Sequence, residues 1–174
     1  MIKSIRNILI LSLLIMMNSC GAAQVQTTPI ELQPLEEFKA LEIIRNTLAL
    51  KGYKIAPSAT VTLSNNSTFN TDISVVNEQI SVEYVTEQDT RDKGYMPATA
   101  AGSRLHVLPA TIKISETVTS PTYILILNED QYMYHARPTP DLRAPVTYHE
   151  VENRLIRDLN DFLSWYEKSA KAQQ

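Results

Sequence analysis

This chain is poor in the residues that usually staple or activate a small protein. It has one cysteine, so no disulfide forms within it and its stability must come from a packed core. It has four glycines, none spaced for a phosphate-binding loop, and no Gly-x-Ser-x-Gly elbow. Its three histidines are His106, His135 and His149. His149-Glu150 opens like a zinc-protease helix, but Asn153 stands where the second histidine belongs. The histidine spacing supports no metal site, and the expectation is no metal and no cofactor. The main apolar run, Ile8 to Met17, is half of the about 20 residues that a membrane-spanning helix needs.

That short run has a meaning of its own. Lys3 and Arg6 precede it, and small residues follow, which is the form of a secretory signal peptide over 1–19. Met17-Asn18-Ser19-Cys20 resembles the lipobox of bacterial lipoproteins, with Gly21 as the small residue after the cysteine. In that class the leader is cleaved before the cysteine and its thiol becomes a thioether to diacylglycerol. The new N-terminus is then acylated. The resemblance therefore implies lipid attachment at Cys20, which removes the only thiol from catalysis. Each buried CH₂ contributes about 0.8 kcal/mol, so several acyl chains hold firmly. Gly21-Ala22-Ala23 lacks the aspartate that retains such proteins at the inner membrane. In a Gram-negative cell the implied place is the outer membrane, with its periplasmic face as the default expectation.

The whole chain carries 16 basic and 19 acidic residues, a net charge of −3. Losing Lys3 and Arg6 with the leader takes the mature part to −5. A mildly acidic domain does not suit nucleic acid or anionic lipid as its main partner, because both reward clustered Lys and Arg. An envelope protein fits better. Residues 20–33 read as a lipidated tether, polar and proline-bearing. Its reach is at most roughly 45 Å. Residues 34–170 have the length of one domain and 171–174 form a tail.

Within that domain the periods change in order. Pro34 to Lys51 reads as a helix, with Pro34, Glu36 and Glu37 at its start and Gly52 as its C-terminal stop. Phe38, Leu41, Ile44 and Leu48 make its apolar stripe. Val61 and Leu63 alternate with threonines, and Ser64-Asn65-Asn66 makes a turn. Ile73 and Val75, then Ile80, Val82 and Tyr84, alternate on either side of Asn77-Glu78, a strand–turn–strand pattern. The polar alternates predict a sheet with one wet face. Residues 87–103 show no period and read as a loop, with Tyr95 and Met96 as its candidate apolar contacts.

Arg104 to Ser115 reads as a strand that Pro109 marks as bulged or at an edge. Thr122 to Leu127 is apolar on both faces and reads as a central strand. Asn128-Glu129-Asp130 reads as a hairpin turn into 131–135. Arg137 to Pro145 is a stiff, proline-rich connection. Thr147 to Glu150 fits a capping box. Val151, Leu155, Leu159, Phe162 and Tyr166 form the stripe of a last helix, with Arg154, Arg157, Asp158 and Asp161 off it. The expected fold is α+β: a mainly antiparallel sheet of about five strands, with an N-terminal and a C-terminal helix packed on one face.

The candidate binding cluster is Arg137, Asp141 and Arg143, with His135 and Tyr134 beside it. A rigid arginine pair suits bidentate binding of a carboxylate or phosphate. The bland alternative is that Asp141 pairs with one arginine and the prolines only steer the chain. No catalytic motif appears, so the expected function is a non-enzymatic binding or accessory module of the cell envelope. One alternative is an envelope hydrolase or small-ligand sensor using 135–143. Another comes from resemblance. Ile44-Arg45-Asn46-Thr47-Leu48-Ala49-Leu50-Lys51-Gly52-Tyr53 and the terminal helix resemble, in outline, the lipoproteins that support the lipopolysaccharide translocon of the outer membrane. The clear first strand of that family is missing here. That resemblance implies support of an outer-membrane translocon.

Overall fold

The computed structural model describes residues 31–76, 78–93, 106–113, 119–136 and 145–170. The chain opens with a short strand, β1 (Leu32–Pro34), inside the stretch read as tether and helix start. The first helix, α1 (Glu37–Leu50), therefore starts later than Pro34, with Glu36 as its N-cap. Gly52 stops it as expected. Its φ of 83° is left-handed, and its N–H donates to the Ala49 carbonyl at 2.9 Å.

The buried face of α1 is Ala40, Ile43, Ile44, Thr47 and Leu48. Phe38, expected in that stripe, is 68% exposed. Ala40 and Ile43 follow Phe38 by two and five residues, which puts them on the opposite side of the helix and leaves Phe38 facing outward. The smaller side chains sit on the sheet.

Seven strands then build one sheet: β2 (Ile55–Ala56), β3 (Ala59–Leu63), β4 (Thr68–Thr71), β5 (Ile73–Val75), β6 (Ile80–Val85), β7 (His106–Lys113) and β8 (Thr119–Asn128). Their order is β2-β5-β6-β8-β7-β3-β4. The expected α+β class holds, but the sheet has more strands than about five and is mixed. β6 and β8 run parallel from Ile80↔Tyr123 to Val85↔Asn128. A parallel pair needs a long crossover, and the chain between β6 and β8 supplies it. β8 is central, as its two apolar faces require. The β5–β6 antiparallel pair also stands as read. At Asn65-Asn66 the Asn65 side chain accepts from the Ser67 N–H at 3.0 Å, and Asn66 takes a φ of 65°. Pro109 faces Tyr123 of β8, while β3 pairs only from Ala110 onward. Its missing N–H thus falls where β7 has no β3 partner.

The sheet curls, and this buries the polar alternates of β5 and β6, whereas Thr60, Asn70, Thr111 and Lys113 of β3, β4 and β7 stay exposed as the wet face requires. Only Asp72 separates β4, which pairs with β3, from β5, which pairs with β6. One short run of chain thereby joins the last strand of the order to the second. The concave side encloses Val61, Leu63, Val85, Ala110, Ile124 and Ile126. Ser74, Ser81 and Glu83, read as solvent-facing, are buried there.

The other side of the sheet carries the larger core. Ile73, Val75, Ile80, Val82, Tyr84, Leu125 and Leu127 pack against α1 and the last helix, α3 (Tyr148–Trp165). Each such fully buried side chain contributes about 1.5–3 kcal/mol. Both long helices lie on this one face, as expected. They run parallel: the Tyr53 hydroxyl, after α1, donates to Glu167, after α3, at 3.1 Å. At the opposite end Tyr148, which opens α3, feels the charges of Glu36 and Glu42.

Two further expectations change. The aperiodic 87–103 stretch begins with a short helix, α2 (Glu87–Lys93). Thr86 and Asp89 cap it reciprocally: Asp89 Oδ2 accepts from the Thr86 N–H at 3.0 Å, and the Asp89 N–H donates to Thr86 Oγ1 at 3.1 Å. Glu129–Gln131 forms a 3₁₀ turn instead of a hairpin, and the strand after it, β9 (Met133–His135), pairs with β1. Buried Tyr132 draws the chain off the main sheet there. Its hydroxyl donates to Asp158 at 3.1 Å, and its carbonyl accepts from the Leu35 N–H at 2.9 Å. Asp158 is accordingly buried within α3, not off its stripe.

Candidate functional site

Six of the residues singled out from the sequence lie outside the described residues: Cys20, Tyr95, Met96, Arg137, Asp141 and Arg143. His135 is described, at the end of β9. Its backbone N–H donates to the Val146 carbonyl at 2.9 Å, and its Nδ1 lies 3.2 Å from the same oxygen. That pair of contacts fixes where the chain re-enters before α3.

The three histidines do not meet. His106 accepts from the Gln131 amide at 3.1 Å, and His149 Nδ1 lies 3.3 Å from Glu152 of its own helix. Among the described residues no group of histidine, cysteine or carboxylate side chains is placed to hold a metal. Among the same residues no helix is long and apolar enough to cross a membrane.

Val146 is also one wall of a cleft of about 600 Å³, whose other described lining residues are Pro145, Glu150, Asn153, Arg154 and Arg157. That volume lies within the usual range for small-molecule sites, about 300–1,000 Å³. Glu150, Asn153, Arg154 and Arg157 recur at three- and four-residue steps, so they form one continuous row along α3. The row adjoins the buried stripe of Val151, Leu155 and Leu159 and is held in place by it.

Each polar group in the cleft has a defined state. Thr147 is the N-cap of α3, and its side chain accepts from the Glu150 N–H. Glu150 Oε2 answers by accepting from the Thr147 N–H at 2.7 Å and its hydroxyl at 3.0 Å. Those two bonds, the backbone one foremost, hold the Glu150 carboxyl below the usual range. Arg154 donates from Nη1 to the Gln131 carbonyl at 2.8 Å, which orients its guanidinium. Arg157 approaches Asp158 with Nε at 3.7 Å, beyond hydrogen-bond distance, and its side chain is 56% exposed.

The cleft therefore holds two guanidiniums with most of their donors unused, one carboxylate already engaged by backbone, and an amide. Such a set can bind and orient an oxyanion. Among its described lining residues no nucleophile is paired with a base. The sequence reading placed Arg154 and Arg157 on the solvated side of the helix and so passed over them. The signal was the Glu-x-x-Asn-Arg-x-x-Arg spacing directly after a proline-stiffened entry. No protein-family model, curated protein or solved structure matches this chain.

Proposed function

We propose that the chain is a lipid-anchored lipoprotein of the bacterial cell envelope, whose domain binds and supports an envelope protein without catalysing a reaction. The observation that carries the reading is Met17-Asn18-Ser19-Cys20 directly behind a basic start and a short apolar run. Acylation of Cys20 would leave about a dozen residues before β1, a reach of at most roughly 45 Å. A domain so held works within that distance of its membrane, which favours a partner embedded in it. The cleft along α3 supports binding over catalysis, because Glu150, the one carboxylate among its described lining residues, is engaged in the helix cap. Support of an outer-membrane translocon is the narrowest form of this reading.

Crosslinking in intact cells, followed by identification of the captured species, tests the accessory role. Recovery of one integral outer-membrane protein is the expected result. Recovery of soluble proteins alone, or of none, would sink it.

A further inference from the structure

We propose that the cleft between Pro145–Val146 and the Asn153-Arg154-Arg157 row of α3 is a binding site for a single oxyanion group, a phosphate or a carboxylate, borne on a small molecule. The inference concerns the cleft alone and holds whatever the anchorage of the domain or its protein partner.

Three observations carry it. First, charge use is incomplete. A guanidinium has five N–H donors in a planar fork. Arg154 has one bond, to the Gln131 carbonyl. Arg157 has only the 3.7 Å approach to Asp158. Two arginines one turn apart on one helix row repel each other unless an anion sits between or before them. Second, the one carboxylate among the described lining residues fills that role only in part, through the charge of Arg154 acting at longer range. Glu150 Oε2 already accepts from Thr147 twice, and no ion pair joins it to Arg154 or Arg157 among the described residues. Third, Arg154 is pre-oriented by a backbone carbonyl on a different element, which lowers the ordering cost of binding.

The walls define the rest of the ligand. Pro145 and Val146 offer apolar surface on one side, and Asn153 offers both a donor and an acceptor on the other. Because arginine matches carboxylate and phosphate alike through two parallel N–H bonds, the shared chemistry is a planar pair of oxyanion oxygens. The backbone of α3 contributes little, since its first turn is closed by the capping box. Recognition is by side chains.

Nuclear magnetic resonance of the full-length chain in a non-ionic detergent tests this. The probes are inorganic phosphate and acetate, with sodium chloride at matched ionic strength as reference. The expected result is a saturable shift of the Arg154 and Arg157 side-chain Nε–H signals with phosphate, acetate or both, and none with chloride. Phosphate alone assigns a phosphorylated ligand, and acetate alone a carboxylate. Arg157→Gln should weaken the saturable binding at least tenfold while leaving signals of the sheet in place. Asn153→Ala, which touches neither guanidinium, should weaken it by a smaller factor and guards against misfolding of the first variant. Equal shifts with chloride, no saturation with either anion, or unchanged affinity in Arg157→Gln would overturn the proposal.

Discussion

Asp72 and Glu83 face each other where the sheet turns its corner, and each carboxylate takes up a backbone N–H that the broken ladder releases. Glu83 Oε2 accepts from the Asp72 N–H at 3.0 Å, and Asp72 Oδ2 accepts from the Tyr84 N–H at 2.7 Å. The regular β5–β6 pairing ends at Ile73↔Val82, one position earlier. Two side chains thus continue the ladder while β4 swings across to β3. This explains a glutamate only 2% exposed on the concave face.

Asp72→Ala should accordingly leave the Tyr84 N–H without its acceptor. A buried donor so orphaned costs about 1–3 kcal/mol. Asp72→Asn keeps an acceptor oxygen and should recover most of that loss. Urea unfolding midpoints of the two variants check the ordering. Equal midpoints for the alanine variant and the native chain would show that the corner does not depend on this bond.

Ile44 and Phe38 should separate the true face of α1 from the one its sequence suggests. Ile44→Ala removes a fully buried side chain and should cost about 2–5 kcal/mol. Phe38→Ala removes a side chain that is mostly in water and should stay within about 0.5 kcal/mol. Thermal unfolding of both variants decides. A large loss from Phe38→Ala would mean that the helix is rotated from the face described.

The α3 cap makes an acid-side prediction. Thr147→Ala should destabilise the domain by about 1 kcal/mol at neutral pH. Glu150 has a depressed carboxyl in the fold, so its contribution is present above the ordinary value of 4.5 and is lost as pH falls through its lower folded value. The native chain should therefore lose stability below that pH more steeply than Glu150→Gln does, which keeps the cap but cannot titrate. Parallel acid unfolding curves for the two proteins would contradict the assignment.

At alkaline pH the tyrosines should act together. Burial, and then the bond to Glu167, push Tyr53 up to about 12 from 10.0. Burial also raises Tyr84, and burial with Asp158 beside it raises Tyr132. Stability from these raised groups is full below pH 10 and is lost as pH climbs through their folded values. Tyrosinate absorbance should show Tyr84 and Tyr132 of the eight tyrosines ionising only as the fold is lost, with partly exposed Tyr53 delayed towards pH 12. Smooth titration of all eight near pH 10 would contradict their placement.

Much of this fold was legible in local pattern. The α3 stripe, its capping box, the Gly52 stop and the central β8 all follow from periods and cap chemistry that act over a few residues. What escaped depended on partners far away in sequence. Glu83 reads as a solvent-side alternate until the curl of the sheet buries it. Leu32 to Pro34 look like tether until β9 arrives to pair with them. Phe38 keeps helical spacing with Leu41 and Ile44, yet the buried face runs through Ala40, Ile43, Ile44, Thr47 and Leu48 and leaves it in water. The Thr86–Asp89 cap was visible but was hidden by the charges around it. The cleft was half legible: Pro145 ended the connection read as stiff and proline-rich, whereas Arg154 and Arg157 looked like ordinary surface charge.

The central claim is that Cys20 ties this domain to a membrane. The direct measurement is metabolic labelling with radioactive palmitate, with membrane fractionation, of the native chain and Cys20→Ala in a bacterial host. The account predicts label and membrane attachment for the native chain, and neither for Cys20→Ala. An unlabelled native chain, or a Cys20→Ala variant of unchanged mature size that still sediments with membranes, would contradict it.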